Sequence, residues 1–259
     1  MNHGVHRKAR AGAPRGFFAC EATGLRWLRA AGAVPVVEVL DVADDHLDLV
    51  RLHPAPPTPP AAQALGRGLA QLHDAGADAF GVSADGWSGD GFFGPLDHPL
   101  PLVSGRFESW GAFLADCRLV PLSTALREAA VVDPGTLADL ARVADRLRGG
   151  ALDDGDVPAR VHGDLWSGNV VWTREGATLV DPAAHGGHRE SDLAMLALFG
   201  LPYLDVVLDA YQEVHPLRRG WQHHTGLHQL YPVGVHALLF GGGYVDQLRR
   251  LAARWAEGR

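Results

Sequence analysis

The chain has 259 residues, of which 47% are apolar, enough to bury a sizeable core in one large or two modest domains. Against 23 Lys plus Arg stand 30 Asp plus Glu; the formal charge of -7 argues against a nucleic-acid binder or a protein held on anionic lipid, and leaves a small soluble molecule as the natural partner. Two widely separated cysteines, Cys20 and Cys117, give neither a disulfide framework nor a thiolate zinc site and read as core thiols in a reducing compartment. With no signal-type segment behind the basic start MNHGVHRKARAG and no apolar run of about 18 residues, the expected location is the cytoplasm.

In chain order, residues 17–31 carry Phe18, Leu25 and Leu28 at helical spacing, closed by Gly32. VPVVEVL (34–40) and HLDLVRL (46–52) read as two strands around the turn DVADD. The proline-rich HPAPPTPP (53–60) reads as a linker between a small first lobe and a larger second one. Leu65, Leu69 and Leu72 form one helical stripe, and Phe107, Trp110, Leu114 and Cys117 a second; the segment between, 81–101, reads as loop. A third helix opens at Asp133-Pro134 and ends at Gly149-Gly150. VVW (170–172), the turn REG and TLV (178–180) predict a hairpin that delivers Asp181 at its far end. From Glu190 the pattern is helical, with Pro202, Pro216 and Pro232 as breaks and Gly241–Gly243 as a joint.

The chemistry gathers in VHGDLWSGNVVW (161–172). Asp164 and Asn169 share one loop and Asp181 returns across the hairpin, so three oxygen-bearing side chains can converge. Such hard donors suit Mg2+, which takes one or two carboxylates and completes its shell with water and phosphate oxygens. A carboxylate to orient an attacking hydroxyl, followed by an Asn and a second Asp for the metal, is the layout of phosphotransferase sites. Singly, Asp164 and Asn169 are ordinary turn formers; the carboxylate at the end of an apolar strand favours the functional reading. Phosphate chemistry also calls for a cation. Glu21 lies on or beside the apolar stripe of the first helix and needs a cationic partner, and Lys8 is the single lysine of the chain. The spacing equally allows a half-exposed Glu21 and a frayed Lys8.

These blocks together resemble the fructosamine/ketosamine-3-kinase family, relatives of the aminoglycoside and choline kinases with a protein-kinase-like fold. HGDLWSGNV (162–170) is similar to the family's catalytic loop, with Trp166 and Gly168 setting it apart from the wider pattern. DPAAHGGHRESDLAML (181–196), LYPVGVHALLFGGGY (230–244) and the Glu-bearing helix FFACEATGLRWL extend the resemblance over nearly the whole chain. It implies an α+β fold of two lobes: residues 1–53 a small β-containing nucleotide-binding lobe, 54–259 a larger, mainly helical lobe for catalysis and substrate. It implies transfer of the γ-phosphate of ATP, with Mg2+, to the 3-hydroxyl of a ketosamine, the sugar–amine adduct of glycation, which makes the adduct labile. Asp164 is then the catalytic base, Asn169 and Asp181 the metal ligands, and Lys8 the phosphate-binding lysine partnered by Glu21. The segment Val50 to Leu52 would meet the adenine through its backbone. Trp166 stacks on the sugar or fills a gap between the lobes, and His185 faces substrate or sits in a mobile loop with Gly186 and Gly187.

The family covers the ATP phosphates with a hairpin before the lysine strand, whereas seven residues precede Lys8 here. The expectation is a natural chain that starts upstream of Met1 and carries that hairpin; the alternative is a catalytically impaired nucleotide- or sugar-binding module. His224 and His228, at i and i+4, raise a His-based metal hydrolase as a third reading, against which stands the lack of a glutamate after His224. His162 is expected to organise the loop by hydrogen bonding, and Arg189, Glu190 and Asp192 to form an ion-pair and helix-cap group.

Overall fold

The computed structural model describes residues 4–257. Strand β1 (Val5–Ala9) is followed by helix α1 (Phe17–Ala30) and strands β2 (Val39–Val42) and β3 (His46–Val50), which form an antiparallel sheet in the order β1-β3-β2. Lys8 stands opposite Leu47 and Arg7 opposite Asp48. Strand alternation sends these two cations to opposite faces, Arg7 onto the Asp48 carboxylate with two contacts of 2.6 Å and Lys8 toward α1. The α1 face that buries Phe18, Leu25 and Leu28 also buries Glu21, as the helical spacing predicts.

The expected strand over 34–40 forms only in its last two residues and continues to Val42. Upstream, the backbone is engaged elsewhere: Val37 N–H donates to Leu179 O (3.0 Å) and Leu179 N–H to Pro35 O (2.9 Å), with Val36 bridging Leu179 in parallel. These bonds tie the first sheet region to the later hairpin.

Helix α2 (Pro59–Asp74) starts inside the proline-rich stretch. Thr58 caps it, accepting from Ala61 N–H, and Pro59 and Pro60 occupy first-turn positions whose N–H groups would be unpaired anyway. The stretch expected as loop over 81–101 holds a short hairpin, β4 (Gly91–Phe93) with β5 (Leu100–Leu102). Phe107 lies outside any helix and bridges Phe80; the helix begins at Trp110. It runs as α3 (Trp110–Leu114), one wider π turn (Ala115–Leu119) and α4 (Val120–Glu128). Helix α5 (Pro134–Arg148) is capped by Asp133, which accepts from Thr136 N–H at 3.0 Å.

Strand β6 (Ala159–Val161) enters the motif loop, and β7 (Val170–Thr173) with β8 (Gly176–Leu179) form the expected hairpin, closed by Arg174 and Glu175 between the paired Thr173 and Gly176. The segment around His185 is strand β9 (His185–Gly187), paired with β6 rather than a mobile loop. Its glycines are needed for contact: a Cβ on Gly186 would lie 2.2 Å from Ala79 O. Helices α6 (Arg189–Phe199), α7 (Leu204–Val214), α8 (Thr225–His228), α9 (Leu230–Phe240) and α10 (Gly243–Glu257) complete the chain. Pro232 does not break α9; it sits in the first turn, where no intrahelical N–H is lost.

Two apolar cores result. One joins α1, β3, α2, the β7–β8 hairpin and α7; the other joins the α3–α4 helix, α5, α8, α9 and α10. A cavity of about 570 Å3 lies between β1 and α1 on one side and the motif loop, the β4–β5 hairpin and α9 on the other.

Candidate active site

The motif loop is held from beneath by a buried carboxylate. Asp192 on α6 accepts from the backbone N–H of His162 (2.7 Å) and of Gly163 (2.9 Å), and from His73 Nε2 on α2 (3.1 Å). Burial alone would raise its pKa, but the hydrogen bonds from His73 and from the His162 backbone help hold the carboxyl below its usual value. Gly163 has φ +82°, and a Cβ there would lie 2.2 Å from Ala183 O, so the turn requires glycine. The fully buried His162 donates from Nε2 to Val180 O (2.9 Å) and accepts at Nδ1 from Asp164 N–H (3.3 Å); burial lowers its pKa and keeps it neutral, in the loop-organising role expected of it.

On this base Asp164, Asn169 and Asp181 converge. Asn169 Nδ2 donates to Asp164 O (2.8 Å), Asp164 Oδ2 (3.2 Å) and Asp181 O (3.3 Å), and among the described residues no group donates to its Oδ1. Asp181 follows the hairpin in the left-handed region (φ 54°), rare for a non-glycine residue and concentrated at functional sites. Its Oδ1 is 3.2 Å from Lys8 Nζ, and Lys8 Nζ also lies 2.8 Å from both Glu21 oxygens. Of the two arrangements open for Lys8 and Glu21, the paired one forms. Burial would lower the Lys8 pKa, but Glu21 and Asp181 raise it overall; burial raises that of Glu21, with Lys8 opposing. The Asp164 carboxyl is pushed up to about 7, first by burial and then by the charges of Asp181 and Asp192, against the lowering hydrogen bond from Asn169.

Lys8, Glu21, Asp164, Asn169 and Asp181 all line the cavity. Trp166, 40% exposed, and His185 line it too. His185 donates from Nδ1 to Ala183 O (2.7 Å), and burial lowers its pKa to about 3, so it is a neutral group in the wall. Val50 and Leu52 are not brought to the cavity: Val50 N–H donates to Glu38 O (2.9 Å), and Leu52 packs against the first core. Sequence reasoning missed an aromatic wall. Phe199 stands 6.0 Å from Trp166 and 4.9 Å from His236, which in turn neighbours Phe240 and Tyr244.

His224 and His228 do not converge. His228 stacks on Trp110 at 4.3 Å and pairs with Ser191 and Glu190, while His224 lies against Trp255. Asp154, His188 and Glu190 do cluster, but Arg218 sits 3.1 Å from Asp154 and 3.6 Å from Glu190, so charge pairing already occupies the group. Arg189 reaches Asp74 and Asp156, each at 2.8 Å, as an ion-pair anchor.

The fructosamine kinase family model matches residues 4–257. The chain belongs to the fructosamine kinase family. Membership places it among ATP-dependent phosphotransferases with a small-molecule acceptor, and the expected two-lobed α+β, kinase-like fold holds. An Enterococcus faecium protein named "probable ketoamine kinase" is 31% identical over 92% of this chain and 82% of its own length. A Synechocystis protein of the same description is 36% identical over 72% of this chain, and the match spans 59% of that relative. Among solved structures, a Thermobifida fusca protein assigned as a fructosamine-3-kinase shares 44% identity over 98% of this chain and 86% of its own, with a TM-score of 0.89. An aminoglycoside phosphotransferase, at 20% identity and a TM-score of 0.57 over 98% of this chain and 86% of its own, shares the fold. No helix among the described residues is long and apolar enough to cross a membrane.

Proposed function

We propose that the protein transfers the γ-phosphate of ATP to the 3-hydroxyl of a ketosamine. The observation that carries this reading is the convergence of Asp164, Asn169, Asp181 and the Lys8–Glu21 pair on one cavity. Asp164 accepts the proton of the attacking hydroxyl, a role that suits a carboxyl whose pKa lies near neutrality. Asn169 Oδ1 and the Asp181 carboxylate, whose Oδ1 also meets Lys8, are the hard oxygen donors that would hold Mg2+, which when bound would offset charge on the phosphate oxygens. Lys8, kept protonated and oriented by Glu21, faces the phosphates. Trp166 and the aromatic wall behind it offer a stacking surface for the sugar. The small lobe of residues 1–53 and the larger one of 54–259 then enclose nucleotide and acceptor between them.

The test is ADP release from the full chain with Mg-ATP and fructosyl-lysine, with phosphorus NMR of the product. A phosphate ester at the sugar 3-position is expected. Binding of fructosyl-lysine with no ADP release would favour a non-catalytic module, and an ester at another hydroxyl would overturn the regiochemistry.

A further inference from the structure

Beside the cavity stands a buried cation with no carboxylate to pair it. Arg118 is 4% exposed and belongs to the cavity lining. Its Nη1 donates to Val103 O (2.7 Å) and Cys117 O (3.0 Å), and the guanidinium carbon lies 4.6 Å above the Phe113 ring and 5.6 Å from that of Tyr231. Among the described residues no Asp or Glu forms an ion pair with it. Among the described residues Nε and Nη2 donate to no protein group, and neither is among the polar atoms sealed off without a partner. A planar fork with donors to spare is suited to take a carboxylate through two parallel hydrogen bonds. Desolvation lowers its pKa, and Tyr231, Cys117 and Asp90, whose carboxylate is taken up by the Ser104 N–H and hydroxyl, offset that only in part. A cation so placed is costly unless a ligand supplies the counter-charge.

Local structure accounts for its position. Arg118 sits in the π turn that interrupts the α3–α4 helix, a feature frequent at functional sites. The helical partner of the Cys117 carbonyl would be residue 121, a proline with no N–H, so that carbonyl is open to the guanidinium. The candidate base Asp164 lines the same cavity as Arg118. The phosphate-side cation, Lys8, approaches from β1 instead.

We propose that Arg118 binds a carboxylate on the amine part of the acceptor, so that the preferred substrates are ketosamines of free amino acids rather than glycated side chains of folded proteins. Depth supports the restriction, because a nearly inaccessible group in the wall of a cavity of about 570 Å3 is within reach of a small molecule and not of a protein surface. The assignment rests on the ketosamine reading above.

Its test is a pair of ligands, fructosylglycine and the corresponding carboxamide, titrated calorimetrically into the full chain without nucleotide and then compared by kcat/KM with Mg-ATP. The acid should bind more tightly than the amide by about tenfold or more, the range of charge-assisted hydrogen bonds. Arg118→Gln should bring the acid-to-amide ratio close to unity, and Arg118→Lys should restore part of it. A purely structural role would weaken both ligands alike and leave the ratio intact, which would overturn the assignment. So would equal binding of acid and amide by the natural chain, or weaker Mg-ATP binding in Arg118→Gln with the ratio unchanged. An acid preference without any phosphorylated product sinks the phosphotransfer reading and leaves the carboxylate site standing; turnover without preference does the reverse.

Discussion

Asp164 holds its half-buried carboxyl in a corner of the cavity, and a pKa pushed up to about 7 has consequences for both rate and stability. A base must be ionised, so kcat/KM should fall as pH drops through about 7, approaching tenfold per pH unit well below it. A cation on Asp181 would move the midpoint down, and a profile flat between roughly pH 5 and 8 would remove Asp164 from the role. The stability sign runs the other way. The folded state holds this proton more tightly than the unfolded chain, so the carboxyl destabilises the fold increasingly from the ordinary carboxylate range upward, fully so above about pH 7. Asp164→Asn should therefore lower kcat by about 10²–10⁴-fold while leaving the melting temperature at pH 8 unchanged or higher. Most of this corner was legible in the sequence, because one loop and one hairpin carry Asp164, Asn169 and Asp181 and the geometry is local. The pairing of Lys8 with Glu21 was legible as a need: a carboxylate on an apolar helix face and a single lysine to meet it. Arg118 was not, since an arginine in LADCRLVPL reads as the exposed side of a helix until the π turn rotates it inward.

Elements became legible where periodicity ran long and disappeared where pairing was short. Helices α1, α2 and α5 follow apolar stripes, and the Asp133 cap is a short-range signal, whereas the Thr58 cap was hidden in a proline-rich stretch that reads as a linker. Strands β4, β5, β6 and β9 have three residues each, and all but β6 contain Gly or Pro, so they are too short for alternation to register. The Asp192 brace escaped for a different reason: its partner His73 is 119 residues away, and no local pattern reports such a contact. Helix packing gives a test at this scale. Gly66 on α2 faces α7 so closely that a Cβ would lie 2.2 Å from Val207 O and 3.0 Å from both Ala210 Cβ and Tyr211 N. Two of those three neighbours are backbone, which cannot swing aside. Gly66→Ala should therefore destabilise the fold by about 1–3 kcal/mol in urea or thermal melts, by separating α2 from α7. Wild-type stability in that variant would mean that the helices can part at no cost.

Across the whole molecule, the Lys8 ammonium joins three segments distant in sequence: β1, which carries it, Glu21 on α1, and Asp181 after the later hairpin. The backbone bonds of Pro35 and Val37 to Leu179 run parallel to that link, so the first sheet is anchored to the hairpin that presents Asp181. Lys8→Met should leave the buried Glu21 carboxylate uncompensated at a cost of about 3–5 kcal/mol at neutral pH. Without Lys8 the Glu21 pKa, already raised by burial, rises further. The folded state then favours the protonated acid, so the penalty should shrink as pH falls toward the ordinary carboxylate range and grow as pH rises. Adding Glu21→Gln removes the charge that needed a partner, and the double variant should regain most of the lost melting temperature while phosphotransfer stays abolished. If the double variant melts no higher than Lys8→Met, the pair is not what holds β1 against α1. If it melts higher and also regains activity, the ammonium has no part in handling phosphate, and the cavity must draw its positive charge from elsewhere.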